Sequence, residues 1–170
     1  MLIKNVFIHT GKKLMPQSKN ILITPDGRRQ LLDTKMESSN RSFNHFSDDV
    51  RDAQNKFTMM PGLFDAHVHG QGGFDFADVG KHPETLPLIM KALGETGLSY
   101  AMATLVSLQT ETLKEALKAI DDYVQQQELN PMPGVAQIVG VHLEGPFIAK
   151  NCRGAHDLLA LQDRISIDQF

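Results

Sequence analysis

The 170-residue chain has an ordinary globular composition and carries little net charge. Apolar residues make up 41% of it, charged residues 22%, and the formal net charge is −3 at pH 7. That balance gives no basic field to attract nucleic acid or anionic lipid. A membrane-spanning helix needs about 20 consecutive apolar residues, and no stretch of the sequence approaches that length. The first residues also lack the long apolar core of a signal peptide. We therefore expect neither a nucleic-acid nor a membrane partner.

The cysteine content points to a reducing compartment. Cys152 is the single cysteine, so the chain cannot form an internal disulfide, which favours a cytoplasmic location. It lies among polar residues in a predicted loop, and no motif of a nucleophilic cysteine surrounds it. We expect an exposed thiol without a catalytic role.

The N-terminal part predicts a small β unit followed by a polar linker. Residues 2–9 and 20–24 are typical of strands, and the Pro-Asp-Gly turn at 25–27 predicts a hairpin whose returning strand covers 28–32. Residues 33–56 are polar with few apolar anchors, which predicts a mobile loop. His45 lies in that loop without a ligand-type neighbour, and we expect it to be structural or exposed.

From residue 57 onward the pattern alternates between strands and helices. Apolar runs at 63–66, 98–106 and 135–143 predict strands, the second of them covered on both faces. Helical spacing predicts helices over 83–96 and 112–126. Gly97 suits the stop of the first helix, and Thr112 with Glu115 matches a capping box for the second. The alternation predicts an α/β fold with a parallel sheet and right-handed crossovers.

Three potential metal ligands follow two of these strands. His67 and His69 share a face if the first strand continues through them, and Glu144 ends the third strand just before Gly145 and Pro146. Because chemistry in parallel folds gathers at the carboxyl ends of strands, the three side chains are expected to meet. His142 shares strand parity with Glu144 and could support a metal indirectly.

Imidazole and carboxylate ligands with an open position suit a metal that activates water for attack on a carbonyl. The sequence therefore favours a metal-dependent hydrolase. The alternatives are two surface histidines in a loop and a glutamate that caps a local turn.

These motifs resemble the N-acetylglucosamine-6-phosphate deacetylases of the amidohydrolase superfamily, over their N-terminal part only. The segments that carry the resemblance are Pro-Gly-Leu-Phe-Asp-Ala-His-Val-His-Gly at 61–70, Gly-Val-His-Leu-Glu-Gly-Pro-Phe at 140–147 and Arg-Gly-Ala-His at 153–156. The His-x-His pattern is common to many amidohydrolases. The Glu-Gly-Pro segment with Gly-Ala-His after it is much more specific.

The resemblance implies the N-terminal part of a (β/α)8 TIM-type barrel, about three βα units, preceded by a small β-sandwich segment. Residues 1–57 would form the sandwich segment with its linker, and 58–170 the incomplete barrel. It further implies hydrolysis of the acetamide of N-acetylglucosamine 6-phosphate in amino-sugar catabolism. Glu144 would bind the metal, His67 and His69 would bind a second ion in members that keep them, and Ala155 and His156 would contact the sugar.

The implied cofactor is one or two divalent ions, most simply zinc, and the implied assembly is a homodimer of the full enzyme. The family's catalytic aspartate would lie beyond Phe170, so we expect the chain to be a fragment and inactive by itself. Two alternatives remain at this point: another amidohydrolase of the cyclic amidase type, and an inactive truncated barrel piece.

Overall fold

Residues 1–24, 28–32 and 49–162 are described in the computed structural model of the chain. The chain divides into two compact units, Met1–Pro61 and Gly62–Phe170. No helix in the described ranges is long and apolar enough to cross a bilayer. The turn at 25–27 and His45 lie outside these ranges.

The first unit is built around one five-stranded sheet. Its strands are β1 (Leu2–Ile8), β2 (Lys19–Ile23), β3 (Arg29–Leu32), β4 (Val50–Asp52) and β5 (Thr58–Met59). The order is β3-β2-β1-β4, with β5 also paired to β1. β1, β2 and β3 pair antiparallel, which confirms the predicted hairpin strands, whereas β4 and β5 run parallel to β1. Apolar side chains on one face are buried together: Val6, Ile21 and Ala53.

The predicted mobile loop over 33–56 is wrong at its C-terminal end. β4 pairs with β1 in parallel register, and Ala53 just after it donates its backbone N–H to the Lys4 carbonyl at 2.8 Å. All three β4 side chains are exposed, so the strand is held by its backbone ladder and not by apolar side chains. A prediction based on hydrophobic pattern could not detect such a strand.

The second unit is a strand–helix–strand–helix–strand unit, as predicted. β6 (Leu63–Val68), β9 (Leu98–Leu105) and β10 (Gln137–Leu143) form a parallel sheet in the order β10-β9-β6. The helices α1 (Leu86–Glu95) and α2 (Thr110–Leu129) are the connections between them. Gly97 has φ +93°, as expected for the residue that ends α1. Within the described residues this sheet does not close on itself.

The core of the second unit lies between the two helices and one face of β9. The buried members include Leu86, Ile89, Met90 and Leu93 of α1, Ala116 and Ile120 of α2, and Ala101, Ala103 and Leu105 of β9, together with Phe76, Val79, Ala136 and Ile138. Tyr100, next to the buried Ala101 in β9, is 44% exposed. The prediction that this strand is covered on both faces is therefore wrong along part of its length, since only one face receives helices.

Two further details differ from the sequence prediction. α2 begins at Thr110 with Gln109 as its N-cap, so Thr112 lies inside the helix and the predicted capping box is wrong. The apolar stripe of α2 predicted the helix correctly, but the helix begins two residues before the predicted range of 112–126 and ends three residues after it. A short hairpin, β7 (Gly70–Gln71) with β8 (Phe74–Asp75), follows β6 and was not predicted.

Candidate metal centre

Three donor atoms from two strand ends meet at one point. His67 is the penultimate residue of β6, His69 follows that strand, and Glu144 follows β10. The two Nε2 atoms lie 3.2 Å apart. Glu144 Oε2 lies 3.4 Å from Nε2 of His67 and 3.2 Å from Nε2 of His69. The three residues predicted as ligands are therefore brought together by the parallel sheet.

The dimensions of this triangle suit a divalent ion. Ligands at about 2.0–2.1 Å from zinc in a tetrahedral arrangement lie roughly 3.3–3.4 Å from each other, close to all three measured edges. Hydrogen bonds alone do not explain the triangle well. If both histidines donated an Nε2–H to the carboxylate, two N–H groups would face each other with their nitrogens 3.2 Å apart, which is unfavourable. Two imidazoles and a carboxylate are also a donor set that zinc accepts.

The triangle is held by hydrogen bonds from the sheet. The backbone N–H of Glu144 donates to the Leu105 carbonyl at 2.9 Å, which continues the ladder past the end of β10. The backbone N–H of His67 donates to Asp65 Oδ1 at 2.9 Å, and that of Val68 donates to Thr104 Oγ1 at 3.1 Å. These contacts fix where the two strands deliver their side chains.

His142 packs against the cluster without entering the triangle. Its ring meets the His67 ring edge to face, with centroids 4.7 Å apart and planes at 82°. Its Nδ1 lies 3.4 Å from Thr104 Oγ1. His142 therefore restricts the orientation of His67, which is the indirect position that strand parity predicted for it.

The charge state of Glu144 follows from its neighbours. Its side chain is one-third exposed, and desolvation acts to raise its pKa. The attraction of the imidazoles of His67, His156 and His69, with a hydrogen bond from His67, outweighs desolvation and lowers the pKa of Glu144 below its ordinary value. The carboxylate is therefore ionised at neutral pH, as a metal ligand must be.

His156 reaches the cluster from the loop after β10. Its Nε2 lies 3.7 Å from Glu144 Oε1, on the oxygen not used in the triangle, and its side chain is 9% exposed. The guanidinium of Arg153 donates to the His156 carbonyl, which tightens the turn between them. Ala155 is exposed in the same turn, and its methyl side chain has no polar atom to offer a ligand.

Sequence reasoning missed two residues beside this site. Ser107 follows the end of β9, the central strand, and contacts the His156 ring with both its backbone and its hydroxyl. Thr104 is fully buried and joins β6 to β10. The signal for Ser107 was available, since a polar residue just beyond a parallel strand is placed by the same rule that selected Glu144.

One buried nitrogen of the cluster lacks a hydrogen-bond partner among the described residues. His69 Nδ1 is buried and has no hydrogen-bond partner within the described part of the chain. A histidine that binds metal through Nε2 carries its proton on Nδ1 and ordinarily donates it to an oxygen. If His69 binds the ion through Nε2, its Nδ1–H needs a hydrogen-bond acceptor that the described residues do not supply.

Comparison with known proteins shows what the chain is similar to. No family model matches the chain. N-acetylglucosamine-6-phosphate deacetylase of Bacillus subtilis (strain 168) is 30% identical over 97 residues, 57% of this chain and 24% of that protein. N-acetylgalactosamine-6-phosphate deacetylase of Shewanella sp. (strain ANA-3) is 32% identical over 99 residues, 58% of this chain and 23% of that protein.

A solved structure shares the fold over almost the whole chain. The crystal structure of N-acetylglucosamine-6-phosphate deacetylase from Pasteurella multocida superposes with a TM-score of 0.76 at 21% identity, covering 98% of this chain and 39% of that one. The segment that matches the curated relatives spans about a quarter of their length. The predicted resemblance is confirmed: this chain is similar to the N-terminal part of the N-acetylglucosamine-6-phosphate deacetylases.

Proposed function

We propose that the protein carrying this chain hydrolyses the acetamide of N-acetylglucosamine 6-phosphate, in the cytoplasm, to give glucosamine 6-phosphate and acetate. The observation that carries the proposal is the triangle of His67, His69 and Glu144, with edges of 3.2–3.4 Å at the carboxyl end of a parallel sheet. Relatives named for deacetylation of amino-sugar phosphates support the choice of substrate class.

The proposed fold of the whole protein is a (β/α)8 barrel whose first three strands are β6, β9 and β10. The sheet of the first unit would be part of a β-sandwich, and the whole protein would be a homodimer. The curated relatives are about two and a half times as long as the chain, since the 97 residues matched in one of them are 24% of its length. We therefore propose that the reaction also needs residues beyond these 170, including the aspartate that the resemblance places after Phe170.

His67, His69 and Glu144 would hold one or two divalent ions, most simply zinc, which supply Lewis acidity and activate water at neutral pH. In the net reaction the water oxygen bonds to the amide carbonyl carbon, the C–N bond breaks, and the leaving amine takes up a proton. His156 would hold the sugar derivative through its Nε2, which faces Glu144, and Ala155 would contact it through its backbone. The ionised Glu144 keeps the centre available to a cation.

A second candidate substrate is N-acetylgalactosamine 6-phosphate, which differs at one hydroxyl. It is supported because a relative named for that substrate matches this chain as well as one named for the glucosamine derivative, at 32% and 30% identity. A cyclic amidase has no comparable support, since both relatives are named as deacetylases of amino-sugar phosphates.

The test is acetate release by the protein expressed from its own gene. The substrate panel is both N-acetylated sugar phosphates, N-acetylglucosamine without phosphate, and a cyclic amide. We expect acetate from a sugar phosphate, loss of activity after chelation and recovery with zinc. Absence of acetate from both sugar phosphates with zinc bound would reject the proposal. Cleavage of the cyclic amide alone would select the alternative. The isolated 170-residue chain is expected to show no turnover.

A further inference from the structure

Ser107 and His156 form a contact between the end of the central strand and the loop after β10. Ser107 is 5% exposed and lies two residues beyond β9. Its backbone N–H donates to His156 Nδ1 at 3.2 Å, and its Oγ lies 2.9 Å from the same nitrogen. The same hydroxyl lies 3.4 Å from the Glu144 carbonyl oxygen. One serine thus presents two groups to a single ring nitrogen.

The backbone donor decides which ring nitrogen carries the proton. A hydroxyl can donate or accept, but a peptide N–H can only donate. For the Ser107 N–H to bond to Nδ1, that nitrogen must keep its lone pair free, so the proton of the neutral ring lies on Nε2. The Ser107 hydroxyl is compatible with this state, because it can donate to Nδ1 or to the Glu144 carbonyl.

We propose that Ser107 is a positioning residue that fixes His156 in the tautomer with its proton on Nε2. That proton then lies on the nitrogen 3.7 Å from Glu144 Oε1, at the mouth of the cluster. An Nε2–H is a hydrogen-bond donor to an oxygen ligand and cannot bind a metal. The arrangement therefore excludes His156 from the metal and makes it a donor for a substrate oxygen.

The part of this inference that concerns substrate rests on the proposed function, whereas the tautomer does not. A hydroxyl, acetyl or phosphate oxygen would each accept this hydrogen bond, and an ammonium group would not. The contact between Ser107 and His156 therefore requires a hydrogen-bond acceptor on the part of the substrate that lies beside Glu144.

The test is the ¹⁵N NMR spectrum of the protein labelled at histidine, recorded without metal or substrate at a mildly alkaline pH where free imidazole is neutral. His156 is assigned by the loss of its signals in His156→Gln. We expect Nδ1 to resonate as an unprotonated nitrogen and Nε2 as a protonated one. A proton on Nδ1 would overturn the proposal.

Variants of the serine test its side chain. Ser107→Ala keeps the backbone N–H that donates to Nδ1, so we expect the proton of the neutral ring to remain on Nε2. Ser107→Thr keeps both the backbone N–H and the hydroxyl and is expected to show the same tautomer. Ser99→Ala, near the start of β9, is the matched control. A proton that moved to Nδ1 in Ser107→Ala, in a folded protein, would show that the backbone N–H does not select the tautomer and would overturn the proposal.

Failure of this proposal can be told apart from failure of the proposed function. The spectrum needs no turnover, so a wrong tautomer leaves the deacetylase proposal standing. Conversely, the expected tautomer in a protein that releases no acetate would reject the deacetylase proposal and leave the assignment for Ser107 intact.

Discussion

Glu144 Oε2 lies 3.2 Å from His69 Nε2, although the two residues follow the outer strands of a three-stranded sheet. β9 separates those strands, so the side chains must lean across its end to meet. Their meeting depends on the parallel direction of all three strands, which places every carboxyl end at one edge. An antiparallel strand in either position would send its terminal ligand to the opposite edge.

Glu144→Gln is expected to remove most metal binding and most activity. Glutamine keeps the size and one oxygen but lacks the charge that balances a divalent ion. Loss of even an indirect metal partner typically costs 10–100-fold, so we expect a fall in acetate release of at least about 100-fold. Zinc content after dialysis and the turnover of the protein expressed from its own gene are the measurements.

Glu95→Gln is the control for this change, because Glu95 is an exposed residue at the end of α1. It removes the same charge outside the cluster and should leave both zinc content and turnover unchanged. Turnover of Glu144→Gln close to the wild-type value would show that this carboxylate is not a metal ligand.

His69→Gln is expected to abolish stabilisation by zinc. A ligand present at 100 times its Kd and bound only by the folded state contributes about 2.7 kcal/mol. For a chain of this size that corresponds to a rise in Tm of roughly 5–10 °C. Differential scanning fluorimetry with and without zinc measures the shift, which the variant should lose.

The comparison variant is His82→Gln. His82 pairs with Glu84 at 3.3 Å on an exposed surface, where such pairs contribute little. Its zinc-dependent shift should equal that of the wild type. If the shift survived in His69→Gln and disappeared in His82→Gln, the ion would be binding elsewhere.

The sequence predicted that these three side chains meet because each stands next to a strong strand signal. His67 and His69 extend an apolar run, and Glu144 ends one, so element type and direction sufficed to place them together. His156 and Ser107 required more, because their contact joins two loops. No local pattern specifies which loop atoms meet, and the resemblance alone identified His156 before the structure did.

The first unit shows where sequence patterns lose their value. β1, β2 and β3 carry apolar residues and were predicted within a residue or two. β4 has three exposed side chains and is recognisable only by its pairing with β1. It pairs through backbone hydrogen bonds and bears no buried apolar side chain, so hydrophobic pattern gives no signal for it.

Asp52→Asn is expected to destabilise the first unit at neutral pH but not in acid. Hydrogen bonds from the Gln54 backbone and the Asn5 amide lower the pKa of Asp52 below 3.8. A lowered folded-state pKa means that the charged form stabilises the fold above the unfolded pKa, and that this contribution is lost as pH falls through the folded value. Urea midpoints from pH 7 to below pH 3 measure the difference. A difference that grew on acidification would contradict this sign.

Gly145→Ala is expected to be more damaging than an alanine at another glycine of similar backbone conformation. Gly145 has φ +102°, and an added Cβ would lie 2.1 Å from Ser107 Oγ. Gly97 has φ +93° with no atom within 4 Å of the added Cβ, so Gly97→Ala bears the conformational cost alone, about 1–3 kcal/mol. Gly145→Ala must in addition displace Ser107, and overpacking of this kind costs a further 1–3 kcal/mol or so.

Urea unfolding of the two variants gives the difference in free energy of unfolding. The histidine spectrum gives the second measurement: Gly145→Ala should shift the His156 signals by moving Ser107, whereas Gly97→Ala should leave them in place. Equal destabilisation with an unchanged His156 spectrum in both variants would mean that Ser107 can yield without cost, and that the contact between this serine and the histidine is not fixed by the glycine beside Glu144.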